Sequence, residues 1–230
     1  MPVIELENVG HSYGEHPHER VVLRDVTVRL EEQRIGVVGA NGSGKSTFAR
    51  MLNGLVQPTA GTVRVDGLDV SRHAKEVRRR VGFCFTDPDA QIVMPTVRED
   101  IAFGLRRRGL SREEIASRVQ DALATYGLAD HADHPAHLLS GGQKQLLALA
   151  SVLVTQPRIL VLDEPTTLLD LRNAVRVAST VKQLEQQVLL VTHHLDLLDD
   201  FDRVLVFDRT RLVHDGPPRE AVRYYRQLMA

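Results

Sequence analysis

Four short apolar runs set the strongest limit on how this chain can fold: IGVV at 35–38, ILVL at 159–162, VLLV at 188–191 and VLVF at 204–207. Successive residues of a strand face opposite sides, so an unbroken run needs cover on both faces. Parallel sheets flanked by helices supply that cover. Helical segments separate the runs. Ser111 and Glu114 form a capping box, after which Ile115, Val119, Leu123 and Tyr126 line one face until Gly127 ends the pattern. Other stretches differ in kind. VIELENV at 3–9 alternates apolar with polar, VVLRDVTVRL at 21–30 does so less strictly, and TVRV runs into a turn at Asp66-Gly67, the pattern of half-exposed antiparallel strands. The expected fold is α/β: a parallel-sheet core, an antiparallel β subdomain at its edge and a helical insert. Residues 1–230 form one domain in this reading, with about 87–155 as its helical part. The sequence holds no internal repeat, heptad pattern or low-complexity linker.

Charge and cysteine usage exclude several classes. With 29 basic and 30 acidic residues the formal net charge is −1, so no positive excess favours nucleic acid or an anionic membrane surface. The single cysteine, Cys84, allows no intramolecular disulfide, and MPVIELENVG lacks a basic segment followed by an apolar one. A cytosolic setting is expected. The longest apolar stretch, LLALASVLV at 146–154, is about half of the ~20 residues a membrane-spanning helix needs. Any membrane role therefore runs through a partner.

Directly after IGVV comes GANGSGKST, with Gly39, Ala40, Asn41, Gly42, Ser43, Gly44, Lys45, Ser46 and Thr47 in the pattern of a phosphate-binding loop. Glycines let the backbone curl so that amide hydrogens point at phosphate oxygens, and the following helix adds its positive end. Lys45 is placed to neutralise the outer phosphates and Ser46 to ligate Mg²⁺. After ILVL stand Asp163, Glu164 and Pro165. An aspartate at a strand end can hold the metal through its water shell, and Glu164 can polarise an attacking water as a general base. VLLV ends in Thr192, His193 and His194, which puts an imidazole at a third strand end, with His193 facing the terminal phosphate and His194 a neighbour. A fourth element is LLSGGQKQ at 138–145, where Ser140, Gly141, Gly142 and Gln143 open a helix.

Together these four elements resemble the ATP-binding-cassette (ABC) ATPases over about residues 3–220. The resemblance implies ATP and Mg²⁺ as ligands. It also implies a head-to-tail dimer, expected to be of two copies of this chain, in which Ser140–Gln143 close over ATP held by the other subunit. Tyr13 falls where the family stacks an aromatic ring on adenine, and Asp170 in TTLLD falls at the loop joining the two sites. Each has a plainer alternative: a core-facing tyrosine, a helix N-cap aspartate. Where the family usually has Phe-Gln, this chain has Phe85-Thr86, while Pro88, Asp89 and Gln91 match the Pro-Asp-x-Gln context of energy-coupling-factor vitamin and metal transporters. Thr86, with Leu146 where arginine is usual, most resembles the biotin-transport branch. By that resemblance the chain works under integral-membrane transport subunits at the cytoplasmic face of the membrane, without nucleic acid and without touching the cargo. Thr86 then acts near the metal through a bridging water, and Gln91 serves the membrane-partner surface. The rival readings are a soluble cassette ATPase of DNA repair or translation, disfavoured by the lack of a coiled-coil insert or basic arm, and a nucleotide sensor that does not hydrolyse, disfavoured by Glu164 and His193.

Other clusters read more plainly. His131, His134 and His137 with Asp133 suggest metal ligands only weakly, because Pro135 interrupts the helical spacing. His11, His16 and His18 read as a solvated loop. Arg78–Arg80 and Arg106–Arg108 either border a docking surface or are solvated helix faces.

Overall fold

The apolar runs become the centre of a six-stranded sheet. In the computed structural model, which describes residues 1–14, 17–106 and 108–230, they form β3 (Arg34–Gly39), β7 (Ile159–Asp163), β8 (Gln187–Val191) and β9 (Arg203–Asp208). With β6 (Val81–Cys84) and β10 (Arg211–Gly216) the order is β10-β9-β3-β8-β7-β6. β3 lies parallel to both β8 and β9, β7 lies parallel to β8, and β10 runs antiparallel, as a hairpin partner of β9. Val37, Val161, Leu189 and Leu205 are fully buried, as strands covered on both faces require. Helix α1 (Lys45–Leu52) packs on this sheet, with the Phe48 and Phe207 rings 5.0 Å apart.

The alternating segments form a four-stranded antiparallel sheet, ordered β2-β1-β4-β5 from β1 (Ile4–Tyr13), β2 (Arg20–Leu30), β4 (Ala60–Val65) and β5 (Leu68–Asp69). Its inner face carries Ile4, Leu6, Val26, Leu30 and Val63, each at most 1% exposed. One departure from sequence expectation lies here. The register slips between Leu6 and Val9, where Asn8 takes a φ of +49°, so the buried parity of β1 moves from Ile4 and Leu6 to Val9 and His11. His11 is thus buried in a strand rather than in a solvated loop, and neither ring nitrogen finds a hydrogen-bond partner among the described residues. His16 and Arg107 lie outside the described residues.

By compactness the chain divides into Met1–Phe83, Arg158–Glu164 and Leu184–Ala230 on one side and Cys84–Pro157 with Pro165–Gln183 on the other. The first unit holds the sheets described above together with α1, α2 (Ala74–Arg80) and α7 (Pro218–Met229). The second is helical: α3 (Val97–Phe103), α4 (Arg112–Thr125), α5 (Gly141–Leu153) and α6 (Leu171–Lys182). Its core gathers Val97, Ile101, Val119, Leu123 and Leu147, each at most 2% exposed. Capping boxes start three of these helices, at Thr96 with Glu99, Ser111 with Glu114, and Ser140 with Gln143. No helix among the described residues is long and apolar enough to cross a membrane.

Candidate active site

Strand β3 delivers the phosphate loop to the start of α1. Gly39 has a φ of +154°, and a Cβ there would lie 2.1 Å from the Phe207 carbonyl oxygen; at Gly44, with φ +103°, it would lie 2.5 Å from that of Val22. Only glycine fits either place. Helices α3 to α6 each begin with a side-chain cap, whereas Gly44 offers none to α1, whose first N–H groups are left to an anion. Lys45, 5% exposed, curls over the loop and donates from Nζ to the carbonyls of Gly39 (2.8 Å) and Ala40 (3.0 Å). Burial lowers its pKa, with the charges of Glu164 and Asp163 acting against that. A cavity of about 250 Å³ opens beside the loop, lined among others by Tyr13, Arg20, Asn41, Lys45, Ser46 and Glu164. Gly42, Ser43 and Thr47 complete the segment, Ser43 N donating to the Ala40 carbonyl at 3.2 Å. Tyr13, at the end of β1, is 45% exposed and meets the His11 ring edge-on at 4.5 Å, so it is not a core-facing tyrosine.

The acid pair stands at the end of β7. Ser46 Oγ donates to Asp163 Oδ1 at 2.9 Å, and the Arg50 guanidinium is 3.6 Å from the other oxygen. Asp163 is 1% exposed, and this burial raises its pKa above the usual carboxylate range in spite of Ser46 and Arg50. Glu164 takes a φ of +53°, a left-handed conformation costly for a side chain with a Cβ, and is pinned there by its N–H donating to the Val191 carbonyl at 3.0 Å. His193, just past β8, brings Nε2 to 2.9 Å from Glu164 Oε1. His194 is turned by its own N–H, which donates to Thr192 Oγ1 at 2.9 Å. The hydroxyl of Ser46 and the carboxylate of Asp163 are paired hard oxygen donors beside a phosphate loop, a donor set that fits Mg²⁺.

The second unit carries the remaining sequence-predicted positions. Ser140 caps α5: its Oγ accepts from Gln143 N at 3.3 Å, and its N–H donates to Gln143 Oε1 at 2.9 Å. Gly141 is open, but a Cβ at Gly142 would come within 2.2 Å of Asn173 Cγ. Asn173 in turn donates from its backbone N–H to Asp170 Oδ1 at 2.8 Å, so Asp170 is the N-cap of α6. Gln91, expected at the membrane-partner surface, is half-buried: it accepts from Phe85 N at 3.1 Å and donates to the Ala148 carbonyl at 2.9 Å, bracing the segment after β6 against α5. Thr86, half-buried, lies between these two ends of the brace in sequence. Sequence reasoning missed this role because Gln91 and Ala148 are 57 residues apart. Nor did it single out Lys144, which pairs with Asp89 at 2.7 Å. His131 and His134 touch each other while exposed His137 has no contact with them, and no group of acidic, histidine or cysteine side chains suited to a metal occurs among the described residues. Arg78 and Arg80 hold the Gly54 carbonyl and Asp66, and Arg106 lies over the Phe103 ring at 5.9 Å.

A phosphate loop between a strand of a parallel sheet and the helix that follows it, with an acid pair and a histidine at neighbouring strand ends, defines a nucleotide-binding enzyme. Residues 23–167 match the family described as ABC transporter, and this chain belongs to it, in the branch of ATP-binding proteins, a family that hydrolyses ATP. A Deinococcus radiodurans protein grouped with the ABC transporter ATP-binding proteins is 56% identical over 227 residues, 99% of each chain. The biotin transport ATP-binding protein BioM of Rhizobium etli is 48% identical over 227 residues, again 99% of each. The energy-coupling factor transporter ATP-binding protein EcfA1 of Caldanaerobacter subterraneus is 42% identical over 226 residues, 95% of this chain and 82% of that one. Among solved structures, cbiO1 of Clostridium perfringens, part of the ABC transporter complex cbiONQ, superposes with a TM-score of 0.83 at 29% identity, covering 98% of this chain and 92% of that one. The mixed fold of antiparallel sheet and largely parallel sheet is that of the ABC ATPases.

Proposed function

We propose that the chain is the ATP-hydrolysing subunit of an energy-coupling-factor-type importer that takes up a vitamin, with biotin as the first cargo to test and a metal ion as the second. The observation that carries hydrolysis is the Glu164–His193 contact of 2.9 Å beside the phosphate loop. A sensor that only binds nucleotide needs no such base. Glu164 takes the proton of the attacking water, and His193 holds that carboxylate in place and faces the terminal phosphate. The amides of residues 39–47 and Lys45 bind the phosphates, while Tyr13 at the cavity mouth stacks on the base. Ser46 and Asp163 hold Mg²⁺, which neutralises phosphate charge when bound.

Ser140, Gly141, Gly142 and Gln143 act on the nucleotide of a second copy, and Asp170, at the start of the helix that Gly142 packs against, couples the two sites. Thr86 and the Gln91 brace belong to the segment that passes motion to integral-membrane subunits at the cytoplasmic face. The names of the relatives, a biotin transport protein and an energy-coupling factor protein, support the cargo class. Glu164→Gln keeps shape but removes the base. It is expected to bind ATP, trap a closed dimer and lower steady-state phosphate release by roughly 100-fold or more. Near-normal turnover in that variant refutes the assignment of the base. Co-purification with the native membrane subunits, followed by uptake of labelled biotin in vesicles, tests the cargo; uptake of cobalt or nickel ions and no biotin refutes biotin and selects the metal ion, and uptake of neither refutes both.

A further inference from the structure

Behind the signature segment lies a chain of three contacts that no role above absorbs. The Ser140 N–H can only donate, so the Gln143 atom 2.9 Å from it is the oxygen, and the amide nitrogen points the other way. That nitrogen is 2.8 Å from His131 Nε2, and His131 Nδ1 is 3.0 Å from His134 Nδ1. An amide NH₂ donates, hence His131 Nε2 carries no hydrogen. A neutral imidazole then holds its hydrogen on Nδ1, which donates to a bare His134 Nδ1 and leaves the His134 hydrogen on Nε2. One arrangement of protons satisfies all three contacts.

We propose that His131 is a positioning residue for the signature segment: it fixes the Gln143 amide that closes the Ser140 capping box, and it does so only while the His131–His134 pair is neutral. A proton added to His131 sets an N–H against the Gln143 NH₂. A proton added to His134 sets an N–H against the His131 Nδ1–H, and shifting the latter to Nε2 again meets the amide. Turning the amide over places its NH₂ against the Ser140 N–H and opens the box. Asp130 and Asp133 belong to the pair's own segment, and Asp133, which feels the charge of His134, is bonded to Arg98 of α3 at 3.0 Å; on α5, Lys144 is engaged by Asp89 at 2.7 Å. Each of the two cations is held by a carboxylate. The pair thus makes signature geometry responsive to a proton added to either ring.

This inference rests on the reading that Ser140–Gln143 complete a nucleotide site, and the test separates the two. On the full chain, ¹⁵N resonances of the imidazoles at pH 8 are expected to show His131 as the Nδ1–H form. That readout needs no turnover. In ATPase assays, His131→Phe, which keeps the ring but not the acceptor, lowers kcat about fivefold, the effect of one hydrogen bond, with ATP affinity of the isolated chain unchanged. His131→Gln supplies an amide oxygen that no proton occupies. It recovers kcat to within about twofold and abolishes the decline that wild type shows on acidification. An Nε2–H form of His131, or wild-type kcat in His131→Phe, or a His131→Gln pH profile that superposes on wild type, overturns the proposal. Absence of hydrolysis in wild type would overturn the proposed function instead, and the imidazole resonances would then decide the positioning role alone.

Discussion

Replacing Gln91 by alanine tests the brace between the segment after β6 and α5 most directly. The substitution removes an acceptor from the Phe85 N–H at 3.1 Å and a donor from the Ala148 carbonyl at 2.9 Å. The carbonyl belongs to a buried residue of α5. Each lost bond costs about 1 kcal/mol, and a stranded N–H adds part of its desolvation penalty. The sum is roughly 2–3 kcal/mol. For a chain of this length that corresponds to a fall in Tm of about 5–10 °C, read by calorimetry and by urea midpoints. ATP binding should persist, since the phosphate loop, Lys45 and Asp163 lie in the other unit. Gln91→Glu separates the two contacts, because its carboxylate keeps the bond from Phe85 N–H and loses that to Ala148. It should fall between wild type and alanine. A loss under about 0.5 kcal/mol for Gln91→Ala, or equal loss in both variants, refutes the two-ended brace.

Three further outcomes follow from the site. Asp163→Asn should raise the Tm of the nucleotide-free chain at pH 7 while weakening Mg²⁺-dependent ATP binding. The carboxyl's raised pKa means that folding favours its neutral form, present below the usual carboxylate range and lost as pH rises through the folded value; a lower Tm in the variant contradicts this. Ser140→Arg should abolish hydrolysis with ATP binding intact, and mixing it with Lys45→Ala subunits should return at most one working composite site per dimer; normal turnover by Ser140→Arg alone rejects the shared site. Burial pushes the Cys84 thiol up to about 12, so native protein should resist iodoacetamide at pH 8 and react on unfolding, and stability should decline as pH rises above about 9. Rapid native alkylation would show that the site opens.

How much was legible in the sequence depended on the range of the interaction. The buried strands and the loop at 39–47 were readable because each is encoded by neighbours: unbroken apolar runs, glycines next to a lysine. The capping box at Ser111 and the helix start at Ser140 are likewise local, each set within four residues. His11 was misread because a single irregularity near Asn8 reverses which residues of β1 face inward, and no local composition announces it. The bonds of Gln91 were not legible because its partners are set by the packing of α5, and the Gln143–His131 contact spans 12 residues across two elements. Asp170 shows the opposite case, since its N-cap geometry is local and was foreseen as one of two readings.

The left-handed backbone at Glu164 has a consequence for how such a chain can change under selection. A residue held at φ +53° by a neighbouring strand contributes its carboxylate at the expense of fold stability. Glycine at that position relieves the torsion and removes the carboxylate in one step. A laboratory evolution experiment that rewards heat resistance alone will therefore drift toward glycine at 164, and one that rewards turnover will retain the strained acid. With Glu164 as the base proposed above, thermal tolerance and ATP turnover compete for the same codon.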